Sequence, residues 1–138
     1  MKKGDTLFEI YFDIEEDEFN KIIKSSCMVV EWKITSIQNR KDFLGTTKFI
    51  FLSNGFSNRK FRASDFQISK SLIYGNTKKS AIKKAISRIP HEIKKFNSYM
   101  NDDPDYYNQY IRVYSITIKS SLKRMLSSEE NKLKRKDK

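Results

Sequence analysis

The hydrophobic positions of this chain follow a period of two in its first half and a period of three to four in its second half. Four segments alternate, or are apolar over the length of a strand, and are predicted to be β-strands: residues 6–13, 28–37, 47–53 and 56–63. Asn54 and Gly55 form a strong turn signal between the last two. Because the strands are joined by short connections, we expect an antiparallel meander or a small barrel.

The segments between these strands carry weaker patterns. Residues 15–24 predict one short helix. Its inward side chains would be Ile14, Phe19, Ile22 and Ile23. Residues 38–45 predict a connection, and residues 64–75 predict an irregular stretch.

Residues 77–100 predict an amphipathic helix, because their apolar side chains recur every three or four positions. The members of this apolar stripe are Ile82, Ala85, Ile86, Ile89, Ile93, Phe96 and Met100. Asn76 or Thr77 is expected to cap the helix. Pro90 predicts a kink or a short break near Ile89, since proline removes one helical hydrogen bond.

A second helix is predicted to begin at Asp103, an N-cap residue that is followed by Pro104. Residues 111–118 are rich in β-branched side chains, which leaves a strand open as the alternative. Helix is favoured because helical spacing continues to Leu126. From Ser127 onward the sequence predicts a frayed basic tail.

These patterns together predict an α+β fold, with a four-stranded antiparallel sheet or small barrel first and helices after it. Residues 1–66 form the β-rich part and residues 67–138 the basic helical part of one compact domain. The chain has 138 residues, of which 38% are hydrophobic and 13% aromatic, which argues against global disorder. No apolar run approaches the roughly 20 residues of a membrane span.

Positive charge is concentrated in the helical part. The net charge is +11, but residues 1–66 contain 11 Lys and Arg against 10 Asp and Glu, a net of +1. Residues 67–138 contain 17 against 7, a net of +10. This placement is typical of a polyanion-binding surface, with a merely solvated helix face as the simpler alternative.

Few residues are available for catalysis or metal binding. His91 is the only histidine and Cys27 the only cysteine, so neither an ordinary zinc site nor a disulfide can form within the chain. Neither a Gly-x-Ser-x-Gly motif nor a glycine-rich phosphate loop is present. We therefore predict no catalytic residue, metal or cofactor, and a cytoplasmic protein with Cys27 as a small buried residue.

One short pattern leaves an enzymatic alternative open. Glu31-Trp32-Lys33 is an acid-x-Lys triplet on a predicted strand, and Asp13 ends the strand before it. This is similar to the signature of the PD-(D/E)xK nuclease family. The resemblance implies that Asp13 and Glu31 would hold a divalent metal and that Lys33 would help to position the attacking water.

The layout of the chain suggests a binding module. Gly4-Asp5-Thr6-Leu7-Phe8 opens a strand, short strands follow, and Ser64-Asp65-Phe66 precedes a Lys-rich helix that starts Asn-Thr-Lys-Lys-Ser-Ala-Ile. This arrangement resembles small tailed-phage accessory proteins, some of which carry an SH3-like (Tudor- or KOW-like) barrel. The resemblance implies a regulatory factor in a host cytoplasm, not an enzyme.

The favoured function is non-enzymatic binding of nucleic acid through its phosphates. The predicted contacts are Lys78, Lys79, Lys83, Lys84, Arg88, Lys94 and Lys95 on the helix, and Arg59, Lys60 and Arg62 on the fourth strand. Tyr74 would either stack on a base or belong to the core. The alternative is a protein-binding module that acts on a host polymerase, nuclease or defence complex, and residues 106–114 could form a homodimer contact.

Overall fold

In a computed structural model, which describes residues 2–63 and 73–136, five strands are followed by helices. The elements in chain order are β1 (Thr6–Glu16), β2 (Ile22–Asp42), β3 (Gly45–Ser53), β4 (Asn58–Arg62), β5 (Tyr74–Gly75), α1 (Lys78–Ser98), α2 (Pro104–Arg112), a π-helical segment (Val113–Ile118) and α3 (Lys119–Lys136). The predicted α+β class, with an antiparallel sheet before the helices, is confirmed.

The strands form one open antiparallel sheet in the order β4-β3-β2-β1-β5. β2 has 21 residues and is shared between neighbours, since residues 22–33 pair with β1 and residues 33–42 pair with β3. The fifth strand was not predicted. It has only two residues, which pair with Phe8 and Glu9, and two residues cannot show an alternating pattern. Residues 64–72 of the predicted irregular stretch lie outside the described residues.

The predicted helix over residues 15–24 is wrong, because this segment is a β-hairpin. One carboxylate oxygen of Asp17 accepts hydrogen bonds from the backbone N–H groups of Phe19 and Lys21, both at 2.9 Å. Asn20 between them adopts φ 62°, the left-handed conformation that asparagine tolerates. Phe19 is consequently 74% exposed and does not face inward. Ile23, also predicted inward, is exposed as well.

The predicted connection over residues 38–45 is also mostly strand. β2 runs to Asp42 and β3 begins at Gly45, so only Phe43 and Leu44 remain at the tip of the hairpin. The Asp42 carboxylate accepts the backbone N–H of Leu44 at 2.8 Å, which closes this tight turn. The polar composition of residues 38–42 reflects an exposed strand, not a loop.

The sheet curls so that its two edge strands approach each other across one face. Arg59 of β4 donates a hydrogen bond to the Tyr74 hydroxyl of β5 at 2.8 Å, and the ring of Phe61 lies 5.6 Å from that of Tyr74. We call this the inner face. Its buried hydrophobic side chains, each at most 4% exposed, are Leu7, Trp32, Ile34, Ile50, Leu52 and Tyr74.

The opposite, outer face is covered by helices over β1 and the first half of β2. Phe8, Ile10 and Phe12 alternate along β1 as predicted and pack against the helices there. The core between them includes Ile10, Ala81, Ile82, Ala85, Ile89, Tyr114, Ile118 and Leu122. Because sheet and helices share this core, the β-rich and helical parts pack as one body.

α1 starts at the predicted cap, where the Thr77 side chain accepts the backbone N–H of Ser80. It then continues without a break to Ser98, so the expected break near Ile89 does not occur. Pro90 is exposed, whereas Ile89 is 3% exposed and packs in the core. Core packing of the apolar stripe therefore holds the helix together across the proline.

The second helical region begins at the predicted cap, Asp103, whose carboxylate accepts the N–H of Tyr106 at 3.2 Å. Its β-branched segment is helical, as favoured, but with π geometry at Val113–Ile118. Helix then continues to Lys136, so the expected frayed tail from Ser127 is ordered within the described residues. Packing of α3 against α1 supplies the stabilisation that local sequence does not show.

Candidate nucleic-acid interface

Three of the predicted lysines form an exposed stripe along α1. Lys83, Lys94 and Lys95 point away from the buried stripe and span about 18 Å of helix. Within the described residues, none of the three lies in an ion pair. Lys78 at the start of α1 is also exposed, with its Nζ atom 6.0 Å from the ring centre of Phe8.

The other predicted helical cations have partners within the chain. Lys79 lies 3.9 Å from Glu130, Arg88 lies 3.1 Å from Glu92, and the Nζ atom of Lys84 donates a 2.8 Å hydrogen bond to the backbone carbonyl of Tyr74. Arg88 and its partner Glu92 are both half-buried, so the charge of Arg88 is used within α1 and is not presented to solvent. These contacts divide the seven predicted cations into an exposed group and a structural group.

Arg59 and Tyr74 belong to a polar network on the inner face. Arg59 donates to the carboxylate of Glu9 at 2.5 Å and lies over the ring of Trp32, 4.6 Å from its centre. Trp32 donates its indole N–H to the same carboxylate at 3.2 Å. Tyr74 is only 4% exposed, and burial followed by the negative charge of Glu9 raises its pKa to about 12. The structure therefore favours the core alternative for Tyr74.

α3 carries a second cationic stripe that the sequence interpretation missed. One solvent-facing side of this helix contains Lys123, Arg124, Ser127, Ser128, Asn131, Lys132 and Arg135. The clue was present in the sequence as basic pairs separated by small polar residues at helical spacing. It was overlooked because the segment after Ser127 was interpreted as a tail.

The start of α1 lies against the end of α3. Lys78, Lys132 and Arg135 line a shallow depression between the two helices, together with Glu129 and Leu133. Glu129 is paired with Lys132 at 3.3 Å. Cations from α1 and α3 therefore lie close together beside the N-terminus of α1, where the helix dipole is positive.

A third cationic region lies on the outer face of the sheet, beyond the helices. Phe49 and Phe51 of β3 point to this face, with Arg62 and Lys60 of β4 directly beside them. The Lys60 Nζ atom lies 4.4 Å from the ring centre of Phe49, and the Arg40 guanidinium of β2 lies 5.4 Å from the same centre. We call these five residues the ring platform. The sequence prediction included Lys60 and Arg62 but not the rings or Arg40.

Charge is also segregated within the sheet, which the totals for residues 1–66 conceal. Residues 1–32 contain 4 Lys and Arg against 8 Asp and Glu, a net of −4. Residues 33–63 contain 7 against 1, a net of +6. The acids cluster at the β1–β2 hairpin, whereas the cations lie on the half of the sheet formed by the end of β2, β3 and β4.

The constellation of the nuclease alternative is not assembled. Glu31 pairs with Phe8 and shares the outer face with Lys33, but Asp13 pairs with Ser26 on the inner side of the sheet. In the described part of the chain, no three His, Cys, Asp or Glu side chains are placed to hold a metal ion. Burial raises the pKa of Cys27 to about 11, so its reactive thiolate form is suppressed.

The aromatic side chains that suggested a homodimer contact pack within the chain. Tyr106 and Tyr110 both donate hydrogen bonds to the carboxylate of Glu16 on β1. Burial and the bond to Glu16 raise the pKa of Tyr110 above its usual range. Phe96 of α1 lies 5.1 Å from the ring centre of Tyr110. These rings connect α1 and α2 to the β1–β2 hairpin.

Comparison with protein-family models, with curated proteins and with solved structures returned no match to this chain. Among the described helices, none combines the length and the apolar character needed to cross a membrane. The geometry of the cationic surfaces is therefore the basis for inferring a function.

Proposed function

We propose that this protein binds nucleic acid without catalysis, through phosphate contacts from its exposed helical cations. We define the helical cations as Lys83, Lys94 and Lys95 of α1 with Lys123, Arg124 and Arg135 of α3. The observation that carries the proposal is that the two neighbouring helices turn cationic stripes to solvent while their acids are taken up in local ion pairs. Such a surface matches a chain of phosphates better than a small anion, since its charges extend along whole helices.

The spacing of the three α1 lysines supports this proposal. Lys83 lies about three turns, or about 17 Å, from the adjacent pair Lys94 and Lys95, so the two positions can reach phosphates that are separated along one backbone. The polar side chains between the α3 cations, such as Ser127 and Asn131, are further donors for phosphate oxygens. Within the described residues, these contacts would identify phosphates but no base.

The salt dependence of binding tests the proposal. If about six cations meet phosphates of duplex DNA, a plot of log K against log salt should have a slope of about −5. The triple variant Lys83→Ala, Lys94→Ala, Lys95→Ala should reduce the magnitude of that slope by about 2 to 3, because each lost contact removes about 0.9. A fluorescence anisotropy titration between about 50 and 200 mM salt measures both slopes.

The matched control removes three lysines from the acidic half of the sheet. Lys3, Lys21 and Lys24 are exposed like the α1 lysines, so their replacement by alanine changes the net charge by the same amount. This control should keep the wild-type slope. Equal slopes for the two triple variants, or binding that does not respond to salt, would refute the proposal.

A further inference from the structure

We infer that the ring platform binds two unstacked bases, which makes single-stranded nucleic acid the preferred ligand. This inference rests on the proposed function and adds to it the form of the nucleic acid and the residues that select it. The platform consists of Phe49 and Phe51 with the cations Arg40, Lys60 and Arg62 around them.

Strand alternation places the two rings on the outer face of the sheet, where each is half-buried. Ile50 and Leu52, between and after them, are each 1% exposed on the inner face. Phe49 and Phe51 therefore point outward, where the neighbouring side chains of β2 are Gln38 and Ser36. An outward position in a half-covered antiparallel sheet is ordinarily polar, so two adjacent phenylalanines there require an explanation other than core packing.

The helices leave this part of the outer face uncovered. Among the described residues, the helical core contacts β1 and the first half of β2, as at Phe12 and Cys27, and it contains no residue of β3 or β4. Arg40 and Lys60 are exposed on opposite sides of the two rings. Within the described residues, neither cation has a carboxylate partner. Flat apolar rings bordered by Arg40 and Lys60 match the two chemical parts of a nucleotide, its base and its phosphate.

The spacing of the rings selects single strands over duplex. Phe49 and Phe51 are two residues apart on one strand, which separates them by about 7 Å. Successive bases in duplex DNA are stacked about 3.4 Å apart and are paired. Bases that reach both rings must therefore be unstacked and unpaired, as in a single strand splayed over a sheet.

The cations that now lie over the rings are weak competitors for a base. Because Arg40 and Lys60 are exposed, the contact of each cation with an aromatic ring is worth about 2- to 5-fold in an equilibrium constant. Stacking of a base on such a ring is worth about 5- to 150-fold. Arg40 and Lys60 can thus turn toward the phosphates when a base takes their place, and both interactions are then satisfied.

The test compares a labelled oligothymidylate of about 15 nucleotides with a duplex of similar length. In the variant Phe49→Leu, Phe51→Leu, apolar side chains remain but no ring is left for stacking. We expect its Kd for the single strand to rise by about 10- to 100-fold, while its Kd for duplex stays within about twofold. The matched variant Phe49→Tyr, Phe51→Tyr keeps both rings and should bind the single strand within about threefold of wild type.

A second measurement uses the wild-type protein and does not depend on how the variants fold. An oligothymidylate that carries 2-aminopurine should change its fluorescence on binding, because the modified base leaves its neighbouring bases and stacks on Phe49 or Phe51. Binding without a change in this fluorescence would overturn the inference. Wild-type affinity in the leucine variant, or an equal loss for duplex, would overturn it as well.

The outcomes separate this inference from the proposed function. If neither oligonucleotide binds in a salt-dependent way, both fail. A second outcome is that single strand and duplex both bind, and that the alanine triple variant of Lys83, Lys94 and Lys95 weakens the binding of each. If the leucine variant of Phe49 and Phe51 then has no effect, only the single-strand inference fails. In that case the platform would be a surface for another partner, such as a protein.

Discussion

Glu9 is the one charged side chain among the buried residues in the described part of the chain, with 8% exposure. A buried carboxylate is stable only when hydrogen bonds and an opposite charge replace its hydration. Here Arg59 and the Trp32 indole N–H provide both. Arg59 was predicted to contact nucleic acid because it is basic and lies beside Lys60. Its actual contact could not be predicted, since it depends on the curl that brings β4 toward β1.

Replacement of Arg59 by alanine should destabilise the fold. The change leaves the Glu9 carboxylate buried without its opposite charge, and we expect the free energy of unfolding to fall by about 2 kcal/mol. This value is below that of a fully buried pair, because the Arg59 side chain is 37% exposed. Urea denaturation followed by circular dichroism measures the difference.

Arg40 provides the matched control, because it is also an arginine of the sheet but lies exposed on the outer face. Arg40→Ala should change stability by less than about 0.5 kcal/mol. Adding Glu9→Gln to Arg59→Ala should restore part of the loss, since glutamine is neutral and still accepts from Trp32. Equal stability of the two arginine variants would contradict this account of Glu9.

At the scale of elements, the junction of β5 and α1 depends on a close approach of two backbones. Gly75 is buried against the first turn of α1, and a Cβ atom placed on it would lie 2.4 Å from the Ser80 Oγ and 2.5 Å from the Ala81 backbone nitrogen. Glycine is needed here for space. The approach also fixes Tyr74, whose carbonyl accepts from Lys84.

Gly75→Ala should therefore separate β5 from α1. We expect a loss of about 1 to 3 kcal/mol in the free energy of unfolding, the range for overpacking at a tight contact. The neighbouring exposed residue gives the control, since Asn76→Ala meets no such contact and should be nearly neutral. Thermal and urea denaturation of both variants measure the effect.

A side chain at residue 75 would meet two atoms, the Ser80 Oγ and the Ala81 backbone nitrogen. Adding Ser80→Ala to Gly75→Ala shows which of the two limits the space. It removes the hydroxyl but leaves the Ala81 nitrogen in place, so it should not restore the stability of Gly75→Ala. Full rescue by Ser80→Ala would show that the hydroxyl alone sets the limit, contrary to this prediction.

The elements that sequence predicted correctly are those that patterns of several residues define. The stripe of α1, the caps at Thr77 and Asp103 and the alternation of residues 28–37 within β2 all needed only local information. The errors arose where single turn residues decide between structures. Asp17 and Asn20 convert a helix-like spacing into a hairpin, and their effect was outweighed in the prediction by the apolar residues around them.

For the whole molecule, charge totals by sequence half gave an incomplete picture of the candidate site. They identified α1, but the ring platform lies in the nearly neutral half, because the acids of the β1–β2 hairpin cancel its cations in the sum. Only the pairing of β3 with β4 places Phe49 and Phe51 beside Lys60 and Arg62. Long-range register, which sequence spacing does not contain, was the missing information.

This segregation predicts that the acidic hairpin influences binding at a distance. Glu15 and Glu18 are exposed at the end of the β1–β2 hairpin and lie far from the ring platform, because Glu15 pairs with Lys24 whereas Phe51 pairs with Ser36, about 40 Å further along β2. Their replacement by glutamine removes two charges that repel nucleic acid, while the proposed contacts stay unchanged. The association rate for an oligothymidylate should rise about two- to threefold at about 0.01 M salt, where the Debye length is about 30 Å.

The same change should have almost no effect on association at the ring platform at about 0.15 M salt, because the Debye length is then only about 8 Å. The dissociation rate should be unaffected at both salt concentrations, since neither glutamate is among the proposed contact residues. Stopped-flow association and dissociation rates provide both readouts. Glu31→Gln is the comparison variant for a charge close to the interface. Glu31 is exposed on the outer face beside Lys33, so its replacement should still affect binding at about 0.15 M salt. A hairpin variant that slows dissociation as strongly as Glu31→Gln would place the hairpin in contact with the ligand and contradict the proposed location of the interface.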